Sequence, residues 1–321
     1  MTTINKLRKN PGLVQGSRFE VQGKDDFSTV VDRASSNLEP RTSNEGVVQH
    51  PVKRLRRSAV AGYFYPQDQA ELRACLGRLI EPAATRTPAR AALLPHAAVR
   101  FAGPVTGATV SQLEVPSTCV LLGANHTAQG ERWSLMAAGA YQTPLGEVPI
   151  AETLAGQLLD ACPRLSPDTA AHRGEHAIEV PLVFLQWLRP FDLTIVPIVV
   201  GGCEPAECAE VGEALGRVLN GHDERVLVIA SSDLSHYEAR ELAIQKDARL
   251  IEAMLAADSS RFLREIRRLD ASVCGEGAIA CMLAALGGLG ASRGWLARYG
   301  TSADAGGDPN SAVGYAGIIF N

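Results

Sequence analysis

Motifs that would settle a function at once are missing from this chain of 321 residues. Its seven cysteines (Cys75, Cys119, Cys162, Cys203, Cys208, Cys274 and Cys281) include no CxxC pair, and their number is odd. That argues against a disulfide framework and a four-cysteine zinc module. The start, MTTINKLRKNPGLVQG, has no apolar run of signal-peptide length, so a reducing, cytoplasmic setting is the expectation. No stretch approaches the roughly 20 apolar residues that a membrane-spanning helix needs. Neither GCEPAECAEVG nor GEGAIACMLAALGGLG has the spacing of a phosphate-cradling loop, so no nucleotide cofactor is expected. GxSxG is absent, which removes the hydrolase nucleophile elbow, and HExxH is absent, which removes the zinc-protease helix. Positive charge is scarce too: 31 Lys and Arg stand against 35 Asp and Glu, a net charge of -4. The one compact basic run, Lys53, Arg54, Arg56 and Arg57, reads as a solvated linker, and no nucleic-acid partner is expected.

What is present is an ordinary globular composition, 46% hydrophobic and 21% charged, in a chain long enough for a sizeable core. Residues 1–57 stand apart. They are polar, broken by Pro and Gly, and without lasting periodicity, and are expected to form a flexible extension. From residue 58 to 321 apolar runs alternate with amphipathic segments. Strands are expected at 91–94, 119–122, 193–200, 226–230, 295–299 and 313–320. Helices are expected at 67–80, 105–113, 152–161, 175–188, 205–219, 241–257, 261–269 and 276–286. Pro181 should start or kink its helix nearby. The pattern predicts a single α/β domain with a central, mainly parallel or mixed sheet flanked by helices.

Ligands of open α/β sheets gather outside the carboxyl ends of the strands. The residues there carry the chemistry of this sequence. AALLPHAAVR places His96 after one strand, CVLLGANHTAQG places His126 after a second, and RVLVIASSDLSHYEA places Asp233 and His236 after a third. Two imidazoles with a carboxylate or thiolate make a site for iron(II), zinc or copper. In HRGEHAIE, His172 precedes Glu175 and His176. His176 can share a helical face with Glu179, and the alternative is a helix start whose early acid favours the macrodipole. Cys274, in SVCGEGAI, reads either as a small buried hydrophobe or as a thiolate at a helix start, with Gly275 and Gly277 permitting close approach. Asp233 is placed to fix the tautomer of His236, and Ser231, Ser232 and Ser235 to cap the next helix or bond a ligand. Tyr237 reads as a rim residue.

These same stretches carry a resemblance. AVAGYFYP, PHAAVRFAGP, LLGANH, TPLGEVPI, EHAIEVPLVFLQ, SSDLSHY, CGEGAI and SAVGYAG follow in order over residues 58–321. With them the chain resembles the MEMO1-like family, whose bacterial members include AmmeMemoRadiSam system protein B. The resemblance implies a fold similar to the catalytic subunit of class III extradiol dioxygenases. It also implies a metal pocket in which His96, His126 and Cys274 are the ligands. Glu175, His176, Asp233 and His236 would be the pocket's catalytic acids and bases. The implied ion is iron(II), with copper or zinc as alternatives. Ala98 and Val99 depart from the family's glycine and aromatic residue, and Thr127 from its second histidine, which alters the pocket wall.

Three functions follow from such a pocket. A metal-dependent, dioxygenase-like oxidoreductase would bind a small electron-rich substrate at the ion. A non-catalytic module would hold the metal or receive a protein peptide. A hydrolase or transferase would use Cys274 as nucleophile. A thiolate beside iron and oxygen is itself oxidisable, whereas ring-cleaving enzymes use a carboxylate as third ligand.

Overall fold

The computed structural model describes residues 54–82, 84–202, 204–291 and 293–321. The expected extension over 1–57 therefore lies, apart from 54–57, outside the described residues, as do Lys53, His50 and Cys203.

Among the described residues the largest sheet has eight strands. Its centre is formed by Ala91–Leu94, Val226–Ser231, Thr118–Ala124 and Thr194–Val200, neighbours in that order and all parallel. Gly314–Phe320 joins the Ala91–Leu94 side antiparallel, and Gly294–Thr301 pairs antiparallel outside it. On the other flank Trp133–Leu135 runs antiparallel to Thr194–Val200, and Ser166–Pro167 adds a short parallel edge. The sheet is thus mixed, with a parallel centre, as the alternation predicts.

The central strands are buried along nearly their whole length, with no polar alternation. Such strands must be covered on both faces. One helical group, Pro205–Asn220, Ser259–Leu269 and Glu276–Ala285, packs together, and a second unites Gln69–Leu79, Val99–Ser111 and Glu179–Leu188. Cys281 and Cys208 are buried in the first group, as packing residues. Among the described residues no helix is long and apolar enough to cross a membrane.

Three expectations are corrected. The helix expected from Val105 begins at Val99, directly after the His96 loop, and ends at Ser111, while Leu113 enters a two-residue strand. The helix expected from Glu175 begins at Glu179. Pro181 then falls in its first turn, where a missing N–H costs no intrahelical bond. Arg56 is not solvated: it is buried in the strand Leu55–Arg56, which pairs with Ala140–Tyr141. Its guanidinium bonds the carboxylate of Glu179 and the backbone carbonyls of His172 and Glu175.

Candidate metal centre

Strand register sets the geometry of the rim. Ser231 lies level with both Leu94 and Gly123, and Val200 with Ala124. Four strands therefore end together, and the segments after three of them carry His96, His126, and Asp233 with His236. The segment 175–178 is drawn onto this rim by tight packing. A side chain at Gly123 would meet Ile178 at 2.9 Å and Ala177 at 3.0 Å. Cys274 arrives from the opposite end of the sequence, immediately before the helix Glu276–Ala285. Its approach depends on Gly275, where a Cβ would stand 2.6 Å from the Ser231 carbonyl oxygen and from Ser232 Cβ.

The predicted ligands meet. His96, His126 and Cys274 each offer a donor atom within 4.8 Å of the others, and Cys274 Sγ is 3.1 Å from His96 Nε2. Two further groups overlap this one: Asp233 and His236 with the same sulfur, and Glu175 and His176 with His126. The rings of His126 and His176 stack, with centroids 4.5 Å apart, and both stand near His96.

Hydrogen bonds determine which nitrogen each imidazole presents. His126 Nδ1 is 2.8 Å from Glu175 Oε1, an acceptor, so Nδ1 holds the proton. His236 Nδ1 donates to the Ser272 carbonyl at 2.9 Å. His96 Nδ1 meets Ser231 Oγ at 2.9 Å. In all three rings Nε2 is the nitrogen left for a ligand. A proton anchored on the far nitrogen is the usual support of a metal-binding histidine.

Glu175 is buried and bonds the backbone N–H groups of His126, His176 and Ala177 as well as the His126 ring. Despite burial, these donors hold its carboxyl down at about 2. It is a clamp between two histidine loops. Asp233 has a different role from the one expected: its Oδ1 accepts from the backbone N–H groups of His96 and Ala97, and the Ser272 carbonyl sets the His236 tautomer. The serines do not cap the following helix. Ser232 receives Gly275 N–H, and Ser235 bonds Asp247 inside the fold.

In the metal-free chain the surroundings of the sulfur favour its thiolate form. Burial alone would raise the Cys274 pKa, but the His96 charge and hydrogen bonds from His126 and His236 hold it well below its ordinary value. Burial likewise opposes charge on His126, yet its bonds to Cys274 and Glu175 raise it to about 10. His176 behaves oppositely. Burial and the His96 charge push it down to about 4, so it stays neutral. A cation entering between the sulfur and the imidazoles would displace their shared protons. Neutral imidazoles and a thiolate suit iron(II), copper or zinc, and the donor set fits such an ion.

The cluster forms the floor of a cavity of about 720 Å³. Phe64, Phe101, Val313 and Tyr315 line it, with Tyr237 exposed at the rim. The sequence did not single out the first four. Phe64 and Tyr315 lie in the quoted stretches AVAGYFYP and SAVGYAG, so the available signal was their place beside residues bearing chemistry. His172 and Glu179 do not reach the centre: His172 is buried between Tyr141 and Ser134, and Glu179 faces Arg56 and Tyr65.

A mixed α/β sheet with imidazoles and a thiolate gathered at its strand ends defines a protein with a candidate metal centre. The family model described as Memo-like protein matches residues 56–319, and the chain belongs to the MEMO1 family. A MEMO1 family protein of Methanopyrus kandleri is 38% identical over 278 residues, covering 83% of this chain and 98% of that protein. One from Aquifex aeolicus is 36% identical over 269 residues, covering 83% and 99%. The solved structure of an uncharacterized protein from Escherichia coli K12 aligns over 72% of this chain and 99% of its own, with 16% identity and a TM-score of 0.48.

Proposed function

We propose that the protein binds iron(II) through His96, His126 and Cys274 and acts as an oxidoreductase on a small electron-rich substrate held in the adjoining cavity. Copper and zinc are the alternative ions. The observation that carries the reading is the common aim of the imidazoles: each candidate ligand anchors Nδ1 on a protein acceptor or hydroxyl and leaves Nε2 toward the sulfur. When bound, such an ion would supply Lewis acidity and, as iron or copper, electron exchange. The chain's own residues supply the rest. Phe64, Phe101 and Tyr315 make an apolar wall for a planar substrate and exclude water. His176, neutral and half-buried beside His126, is the proposed proton acceptor. Kinship with class III extradiol dioxygenases is part of this proposal, supported by the strand-end position of the centre.

A second reading is favoured by one feature. His236 lies in ligand range of Cys274, and its coordination would give a tetrahedral ion such as zinc a fourth protein donor and no open position. The protein would then hold metal without catalysis. Metal analysis of untagged protein is expected to find about one iron, copper or zinc per chain, lost in His96→Ala and in Cys274→Ala. Unchanged content in both variants overturns the site. Oxygen uptake by anaerobically iron-loaded protein on adding a panel of diphenols separates the readings, since its absence favours the non-catalytic one.

A further inference from the structure

Ser231 closes the central strand Val226–Ser231 and is fully buried. Its hydroxyl stands between two partners, the Ala177 carbonyl and His96 Nδ1. A carbonyl can only accept, so the single hydroxyl proton goes to Ala177. The oxygen is then left with lone pairs, and His96 Nδ1 must be the donor. That leaves Nε2 of His96, facing Cys274 at 3.1 Å, as the nitrogen whose proton an entering cation displaces. The same hydroxyl grips the segment carrying Glu175, which donates no proton of its own and holds the Nδ1 proton of His126. One buried oxygen thus ties the orientation of one candidate ligand to the loop that orients the other.

We infer that Ser231 is the positioning residue of the centre, locking the His96 tautomer and the His96-to-His126 spacing through its bonds to His96 and Ala177. This rests on the proposed ligand set, but it concerns a residue that would never touch the ion. Loss of such an outer partner lowers metal affinity about 10- to 100-fold.

The test uses full-length protein and zinc, in competition with a chromophoric chelator. Ser231→Ala is expected to lose about 10- to 100-fold in zinc affinity. Should Ser231→Ala fail to fold, the comparison passes to Ser231→Thr and Ser231→Val, which are matched in shape and differ in the hydroxyl. Thr is expected to retain affinity and Val to lose it. A packing role would move both alike. Nitrogen-15 NMR of the zinc-loaded protein supplies a second readout. The His96 Nδ1 proton is expected to be protected from exchange in the unsubstituted chain and in the Thr variant, and exposed to exchange in the Val variant. Equal zinc affinity in the Thr and Val variants, with the proton equally protected, overturns the inference while leaving the ligand set intact. Zinc binding that Cys274→Ala does not weaken overturns the ligand set itself.

Discussion

His172 and His176 lie four residues apart and belong to polar clusters of opposite character. Both ring nitrogens of His172 are paired with the protein. Its Nδ1 accepts from the Tyr141 hydroxyl at 2.7 Å, and its Nε2 donates to the Ser134 carbonyl at 3.2 Å. Beside it Glu179 takes the guanidinium of Arg56, the hydroxyl of Tyr65 and the backbone N–H groups of Ala59 and Val60. That cluster is closed. Around His176 the Nδ1 atoms of His96, His126 and His236 bond the scaffold, and Nε2 of each ring is the nitrogen left on the cavity side. Burial and histidine content are common to both clusters. The side on which the second ring nitrogen is left separates a structural network from a site.

The largest expected effect breaks the closed cluster. Glu179→Gln leaves the Arg56 guanidinium buried without its counter-charge, and losing one partner of a buried pair costs about 3–5 kcal/mol. Urea unfolding of the metal-free protein should report it as a lower midpoint at unchanged slope. Cys274→Ala should lower that midpoint less, because the imidazoles it leaves can shed their protons whereas a guanidinium cannot. Equal destabilisation by both substitutions would erase the distinction between the clusters.

A smaller contrast concerns the two kinds of cysteine. Cys119 lies inside the Thr118–Ala124 strand, where burial pushes its thiol up to about 12. Cys274 is held well below the ordinary value by His96, His126 and His236. The thiolate is the reactive form, so iodoacetamide at neutral pH should label Cys274 at least about a hundredfold faster than Cys119. Because the Cys274 thiolate is already formed, its rate should stay flat from pH 7 to 9 and fall only as acid protonates the sulfur. An ordinary thiol with a pKa near 8.5 gains roughly 25-fold over that range. Zinc should protect Cys274. A rate that climbs through pH 8 would contradict the imidazole–thiolate arrangement, and reactivity untouched by zinc would favour a free nucleophile.

Much of this was legible before folding. Buried parallel strands announce themselves as unbroken apolar runs, so AALL was placed residue for residue and the strand-end rule gathered His96, His126, Asp233 and His236 on one rim. Cys274 is harder. Nothing local distinguishes a helix-start cysteine that coordinates from one that packs, and the resemblance supplied the ligand role proposed for it. The hairpin Ala140–Thr143 with Gly146–Pro149 was missed although the stretch TPLGEV carries turn residues, because each strand is only four residues long. Arg56 and Glu179 were misplaced for a physical reason. They are 123 positions apart, and an ion pair that buries two charges from distant segments leaves no local pattern in either. The tautomer-setting role of Asp233 failed likewise: adjacency to His236 in sequence suggested a carboxylate–imidazole bond, whereas the fold turns Oδ1 onto the backbone of His96 and Ala97.

The smallest expected effect tests that contrast at the level of single atoms. Tyr141→Phe removes one hydroxyl and keeps the ring, over which Arg56 lies at 4.7 Å. His172 Nδ1 would then be buried with no donor, a loss of about 1–3 kcal/mol. His176→Gln should cost under about 1 kcal/mol, because its ring nitrogens have only a 3.4 Å approach to Glu175 to give up. The metal response should invert this order of effects on stability. Tyr141→Phe acts on the Ser134 and Arg56 side of the loop and leaves the Arg56 bond to the Glu175 carbonyl in place, so zinc affinity should not change. His176→Gln sits against His126 and should alter the spectrum of bound cobalt(II), which reports the ligand field at the centre. If Tyr141→Phe changed the cobalt spectrum and His176→Gln did not, the loop between them would be acting as one unit, and separate clusters would be the wrong description of this molecule.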